Sequence, residues 1–407
     1  MGLNETALAE RVHIGIFGLR NVGKSSIINA LTNQDIAVVS NIAGTTTDPV
    51  KKTMELLPLG PVVIIDTPGI DDIGELGEMR VKKARQVLNY TDIALLVTDA
   101  EKELDERSKE LVHSFETKNI PYIIVYNKAD LLEKIPDETD NTVYVSAKTK
   151  LNIDKLKEMI AHIFKEKESE RSLLADLISK NDVVVLVIPI DSSAPKGRLI
   201  LPQQQTIREI LEIGATVVAC KDTELVKTLA GISKKPKLII TDSQVFGKVV
   251  NNVPEDILLT SFSILFARYK GNLTELVNGA NQLNHIKDGD TILISEGCTH
   301  HRQCEDIGTV KIPNWINKYT GKEVNFEFSS GTDFPEELSK YSLIVHCGGC
   351  MLNSREMHYR LGHAKDQKVP ITNYGVAIAQ MHGILKRSIE PFPDVLKIFE
   401  GKNKEND

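Results

Sequence analysis

The chain has 407 residues, more than one hydrophobic core usually serves, so two or three domains are expected. Its 41% hydrophobic and 26% charged residues describe a globular protein, and a net charge of −7 leaves no domain-wide basic field for a nucleic-acid partner. No apolar run reaches membrane-spanning length and no basic stretch leads into an apolar one near Met1, so no membrane is expected and the location read from the sequence is cytoplasmic. The five cysteines, Cys220, Cys298, Cys304, Cys347 and Cys350, are odd in number and clustered late, which favours metal over disulfides.

From Val12 the sequence reads strand, glycine-rich loop, helix: Val-His-Ile-Gly-Ile-Phe, then Gly18-Leu-Arg-Asn21-Val-Gly23-Lys24-Ser25, then Ser26-Ile-Ile-Asn-Ala-Leu. Backbone amides of such a loop and the helix amino terminus cradle phosphates, Lys24 reaches the β- and γ-phosphates, and the Ser25 hydroxyl ligates Mg2+. A strand over 61–65 ends in Asp66-Thr67-Pro68-Gly69, where Asp66 holds the magnesium through water and the Gly69 amide senses the γ-phosphate. Another ends in Asn127-Lys128-Ala129-Asp130, whose Asp130 carboxylate accepts from the N1 and N2 edge of guanine while the Lys128 stem packs on the ring. A third ends in Ser146-Ala147-Lys148, an amide of which meets the guanine O6.

Four strand-end motifs in this order resemble the small GTPases and imply GTP as the nucleotide. Gly44-Thr45-Thr46-Thr47-Asp48 resembles the first switch of the bacterial TrmE-Era group, with Thr46 on magnesium and γ-phosphate, although Thr47 stands where those relatives often carry arginine. Ile70 occupies the place of the water-orienting glutamine of Ras-like enzymes, so intrinsic hydrolysis is expected to be slow. Asn21 sits where potassium-dependent members place a K+ ligand; a loop-capping asparagine reads equally well there.

The charged run over 165–171 marks a boundary. Beyond it, apolar runs from Val183, Ala215 and Pro236 read as buried strands separated by helices over 203–213 and 223–229, a small α/β unit without chemistry of its own and therefore an assembly module. Cys220 reads as core. The segment Glu255 to Ala267 is apolar around much of its circumference and is expected to be buried between domains or subunits.

The last third reads helix (273–285), strand into Cys298, helix, strand into Cys350, helix (354–361), short strand (369–373) and a helix around 377–385. In a parallel sheet the carboxyl ends share one edge, so Cys298, Cys347 and Cys350 can converge as metal ligands. The order GTPase, Cys298-x-His300, His346-Cys347-x-x-Cys350 resembles the FeFe-hydrogenase maturation GTPases of the HydF family. That resemblance implies an α/β chain with a P-loop GTPase followed by two smaller α/β domains with mainly parallel sheets: GTP-binding 1–170, dimerisation 171–268 and iron-sulfur cluster binding 269–407. It further implies a homodimeric scaffold that holds a 4Fe-4S cluster on Cys298, Cys347 and Cys350 and carries a transient diiron precursor. Its implied partners are the radical-SAM maturases HydE and HydG and apo FeFe-hydrogenase. Three thiolates leave one iron with another ligand. His300 and His346 stand open between ligand and hydrogen-bonding neighbour, and Glu296, His301, Cys304 and Glu305 are weaker candidates. The competing interpretation is a GTPase of ribosome or tRNA biology with a structural Cys3His zinc site.

Overall fold

The computed structural model describes residues 8–32, 49–69, 75–168, 172–190, 199–297, 307–331 and 333–403. The chain forms two compact units, Met1–Glu170 and Arg171–Asp407.

The first unit is built on six strands: β1 (Val12–Phe17), β2 (Val50–Leu56), β3 (Gly60–Asp66), β4 (Ile93–Asp99), β5 (Tyr122–Asn127) and β6 (Thr142–Tyr144). They lie in the order β2-β3-β1-β4-β5-β6, parallel except for the antiparallel β2–β3 pair. Side chains alternate between the two faces, and both faces are covered. Ile14, Ile16, Val62, Ile64, Leu95 and Val97 pack against Ile27, Leu31, Leu156 and Ile160 of helices Lys24–Thr32 and Ile153–Glu168. Phe17, Val63, Ile65, Ala94 and Leu96 pack against Val87, Leu111 and Phe115 of helices Glu75–Leu88 and Glu106–Thr117. Burial on both faces is why β1, β3, β4 and β5 are nearly uninterrupted apolar runs, whereas β2, at the sheet edge, is polar and largely exposed.

The second unit holds two four-stranded parallel sheets. One contains β7 (Val183–Val187), β8 (Thr216–Cys220), β9 (Leu238–Thr241) and β10 (Leu258–Ser261) in the order β10-β9-β7-β8. The other contains β11 (Thr291–Glu296), β12 (Asn325–Ser330), β13 (Leu343–His346) and β14 (Ile371–Asn373) in the order β12-β11-β13-β14. A single hydrophobic cluster runs across both, joining Leu186, Ile240 and Phe266 to Leu276, Ile344, Leu361 and Ile389. The two sheets therefore share a core.

Three elements differ from the sequence expectation. The apolar segment Glu255 to Ala267 divides into β10 and the helix Phe262–Lys270, broken at Ser261, whose Oγ accepts from the Ile264 amide at 3.3 Å as the helix cap. Strand β12 was not anticipated, because Asn-Phe-Glu-Phe-Ser-Ser is polar and largely exposed at a sheet edge. The helix expected around 377–385 is Tyr374–Met381; Gly383, at φ 69°, turns the chain into Leu385–Ile389 and then Pro393–Asn403.

Candidate nucleotide and metal sites

The loop between β1 and helix Lys24–Thr32 leaves no room for side chains at its glycines. A Cβ on Gly18 (φ 143°) would lie 2.2 Å from the Val97 carbonyl, and one on Gly23 (φ 94°) 2.3 Å from Asn127 Nδ2. Asn21 takes a left-handed conformation, φ 61°, which asparagine tolerates better than most residues. Lys24 Nζ folds over the loop and donates to the carbonyls of Gly18 (2.9 Å) and Leu19 (2.7 Å), bonds that phosphate oxygens would replace. Ser25 Oγ donates to Asp66 Oδ2 at 3.2 Å, so the two oxygens expected around magnesium are adjacent. Burial raises the Asp66 carboxyl, against the pull of Lys24, the Ser25 hydrogen bond and Lys52. A divalent cation there would neutralise the cost of keeping that carboxylate ionised. The Thr67 hydroxyl donates to the Ile16 carbonyl at 2.6 Å, tying the ends of β3 and β1 together ahead of Gly69. Ser26 is exposed on the first helical turn. Thr46 and Ile70 lie outside the described residues.

On the base side, Asn127 works as a clamp. Its Nδ2 donates to the Val22 carbonyl at 3.0 Å and its Oδ1 accepts from the Ala147 amide at 3.1 Å, so one side chain binds the phosphate loop to the Ser146-Ala147-Lys148 loop. Ser146 is buried, with Oγ accepting from the Thr149 amide at 3.1 Å, while Lys148 and Asp130 are exposed. Lys128, at φ 68°, places Nζ 2.6 Å from Asp99 Oδ2. Burial acts to raise the Asp99 carboxyl, but hydrogen bonds from Lys128 and the Glu101 amide, with the charges of Lys128 and Lys102, hold it below the ordinary carboxylate range. Asp99 was not singled out in the sequence; its position as the last residue of a buried strand beside the other motifs was the available signal. If Asp130 reads guanine, Asp130→Asn should shift preference from GTP to xanthosine triphosphate by ten- to a hundredfold, the scale of one or two lost charge-assisted hydrogen bonds. Competition binding with both nucleotides checks this, and unchanged preference removes Asp130 from the base contact.

In the second unit, parallel pairing brings the carboxyl ends of β11 and β13 to one edge, with Ser295 opposite His346 and the Cys347 amide donating to the Ser295 carbonyl at 2.8 Å. Cys347 Sγ accepts from the amides of Gly297 (3.0 Å) and Gly349 (3.4 Å). Burial pushes the Cys347 thiol up to about 11, the two amides opposing it; burial also raises Cys350, against the charge of Lys270. Amide donors aimed at sulfur suit a thiolate, the form a metal holds. Cys298, His300, His301, Cys304 and Glu305 lie outside the described residues. Among the described residues, no three His, Cys, Asp or Glu side chains stand together as a metal site. Glu296 accepts from the Tyr374 hydroxyl at 3.2 Å, and Cys220 is half-buried at the end of β8.

His346 is fully buried with both ring nitrogens engaged. Nε2 faces Arg360 Nη1 at 2.9 Å and must accept, so the proton sits on Nδ1 and is donated to the Cys347 carbonyl at 2.7 Å. Burial and the Arg360 charge press its pKa down to about 3, keeping the ring neutral. In this arrangement His346 orients the Cys347 backbone, and ligation through it would require breaking one of these bonds. Arg360, itself fully buried, also bonds Glu356 Oε1 (2.8 Å), Ser295 Oγ (3.2 Å) and the Gly331 carbonyl (2.6 Å), joining β11, β13 and the helix Ser354–Asp366. The Glu356/Arg360 spacing of four on one helix was legible in the sequence, though its burial was not.

Comparison with protein families places a 50S ribosome-binding GTPase domain over residues 13–128, a hydrogen maturase F dimerization domain over 173–271 and a hydrogen maturase F tetramerization domain over 274–391. The chain belongs to the hydrogen maturase F family. The maturase domains occupy the second unit and the GTPase domain the first, so the chain joins a GTPase to two oligomerization domains. The tetramerization domain covers the segment whose sequence pointed to cluster binding, an assembly role that sequence reasoning did not assign to it. The GTPase half of this maturase-family chain is similar to the tRNA modification GTPase MnmE of Legionella pneumophila (strain Paris), 39% identical over 171 residues, 41% of this chain and 38% of that protein. MnmE of Francisella tularensis subsp. novicida is 37% identical over 160 residues, 38% of this chain and 35% of its own. The chain thus spans well under half of either relative. Among solved structures, Aquifex aeolicus Era bound to GDP and AlF4− aligns over 79% of this chain and 94% of its own, at 18% identity and a TM-score of 0.34. The FeoB G-domain of Methanococcus jannaschii aligns over 38% and 98%, at 24% identity and a TM-score of 0.31.

Proposed function

We propose that the chain is a GTPase scaffold for building the FeFe-hydrogenase active site, holding a 4Fe-4S cluster on Cys298, Cys347 and Cys350 and passing a diiron precursor to apo-hydrogenase. The observation that carries this is the hydrogen bond from the Gly297 amide to Cys347 Sγ, because Gly297 immediately precedes Cys298 in the sequence and the bond brings the two cysteine-bearing strand ends into contact. The cluster would supply an iron with a non-cysteine ligand, where a precursor can bind exchangeably. The chain's own part is to aim amides at sulfur and to hold the Cys347 backbone through His346 and Arg360. The engagement of both His346 nitrogens favours this over a Cys3His zinc site that uses His346.

GTP binds at the loop from Gly18 to Ser26, where magnesium would be held by Ser25 and Thr46 and, through water, by Asp66. Hydrolysis is slow because Ile70 offers no group to orient water, and Asn21 holds a potassium ion that supplies charge at the phosphates. HydE and HydG act as suppliers of the precursor. Dimerisation resides in 171–268 and the cluster in 269–407, with the GTPase in 1–170.

Activation of apo-hydrogenase by protein loaded in the presence of HydE and HydG tests the whole proposal: the wild type should activate and Cys347→Ala should not. Activation by Cys347→Ala at the wild-type level would overturn it. In the same preparation, GTP turnover should rise severalfold when potassium replaces sodium at fixed ionic strength, and Asn21→Ala should lose the response. An undiminished response in that variant removes the potassium site.

A further inference from the structure

Lys270 ends the helix Phe262–Lys270, inside the segment matched by the dimerization model, yet it is only 4% exposed and its side chain enters the cysteine loop of the tetramerization segment. Nζ donates to the carbonyls of Gly349 (3.2 Å), Cys350 (3.3 Å) and Leu352 (2.9 Å). An ammonium has three protons to give, and here three carbonyls from four consecutive positions converge on it, so the loop curls around the charge. Burying an ammonium is costly unless its protons are satisfied, which these bonds accomplish. The loop has little slack elsewhere: Gly349 sits at φ 63°, and a Cβ there would lie 2.7 Å from Met357 Sδ.

We propose that Lys270 is a positioning residue for the cysteine site: it fixes the loop from Cys347 to Leu352 so that both sulfurs are presented together, and its charge favours the reduced state of a 4Fe-4S cluster held there. This rests on the cluster assignment made above. Reduction adds one electron and no proton, so the site becomes more negative by one unit, and a fixed cation against the loop stabilises that state. Because Lys270 belongs to the dimerization segment, a shift of the helix Phe262–Lys270 acts directly on the cysteine loop.

The test compares the full-length wild type with Lys270→Met and Lys270→Gln, each reconstituted with iron and sulfide and titrated with dithionite under electron paramagnetic resonance. At the potential that half-reduces the wild type, the variants should show a reduced-to-oxidised ratio at least about tenfold lower, since a unit charge within ~12 Å at an effective dielectric constant of ~20 contributes that much or more. In the metal-free proteins, the backbone amides of 347–352 should exchange hydrogen severalfold faster in the variants, read by peptide mass spectrometry, while GTP hydrolysis is unchanged. An unchanged potential, or unchanged amide exchange, overturns the proposal. Loss of the fold in both variants also overturns it, since Lys270 would then be a core residue rather than a positioning one. A wild type that takes up no cluster defeats the cluster assignment instead, and the amide exchange alone then decides the positioning role.

Discussion

Lys24→Ala should lower GTP turnover by about 10²–10³-fold, the usual cost of removing a preorganised donor from developing phosphate charge. Lys24 starts the helix that follows the glycine loop, and its ammonium already lies over that loop on the carbonyls of Gly18 and Leu19. A phosphate would take those protons at shorter, charge-assisted distances. The loop around it is held independently by Asn127 on Val22 and by the tight packing of Gly18 and Gly23, so the loss should appear in nucleotide affinity and turnover and not in the melting temperature. Steady-state phosphate release with a parallel thermal melt distinguishes the two. Turnover within threefold of the wild type would mean that Lys24 does not touch the phosphates.

Arg360→Met should destabilise the second unit by about 3–5 kcal/mol, because breaking a buried ion pair strands its partner. Glu356 is buried against Arg360 at 2.8 Å, and the guanidinium also serves His346, Ser295 and Gly331. For a unit of this size the loss corresponds to a melting point lower by roughly 6–20 °C. The double variant Arg360→Met, Glu356→Gln should recover part of the deficit, since the stranded carboxylate is then gone. GTP hydrolysis, carried by the first unit, should remain. A melt of Arg360→Met within 2 °C of the wild type would show that the network contributes little.

The sequence announced its nucleotide site through spacing. Gly18, Gly23, Lys24 and Ser25 lie between a strand and a helix as their spacing predicted, because backbone geometry follows from so local a pattern. Asp99 escaped notice because a lone strand-end aspartate carries no spacing signal; only the fold sets it beside Lys128. Cys347 and Cys350 stood out by composition, and the parallel register of β11 and β13 accounts for their approach to Gly297. His346 stood out in the sequence without a choice between ligand and hydrogen-bonding neighbour, and Arg360 and Lys270 were hidden, for one physical reason. Each is a charged or titratable residue whose burial depends on contacts between elements far apart in the chain, from residue 270 to 352 and from 295 to 360. Strand β12 and the division of 255–267 were lost to ambiguity of pattern, an exposed polar edge in one case and an unbroken apolar run in the other.

If the cysteine edge of the second unit holds an iron-sulfur cluster as proposed, iron and acid-labile sulfide measured on anaerobically reconstituted protein will show it. About four irons and four sulfides per chain are expected in the wild type and in Cys304→Ala, and most of both should be lost in Cys298→Ala, Cys347→Ala and Cys350→Ala, because two thiolates hold a four-iron cluster poorly. Stoichiometric zinc with no sulfide in the wild type, or full iron and sulfide in the Cys347→Ala variant, would contradict it.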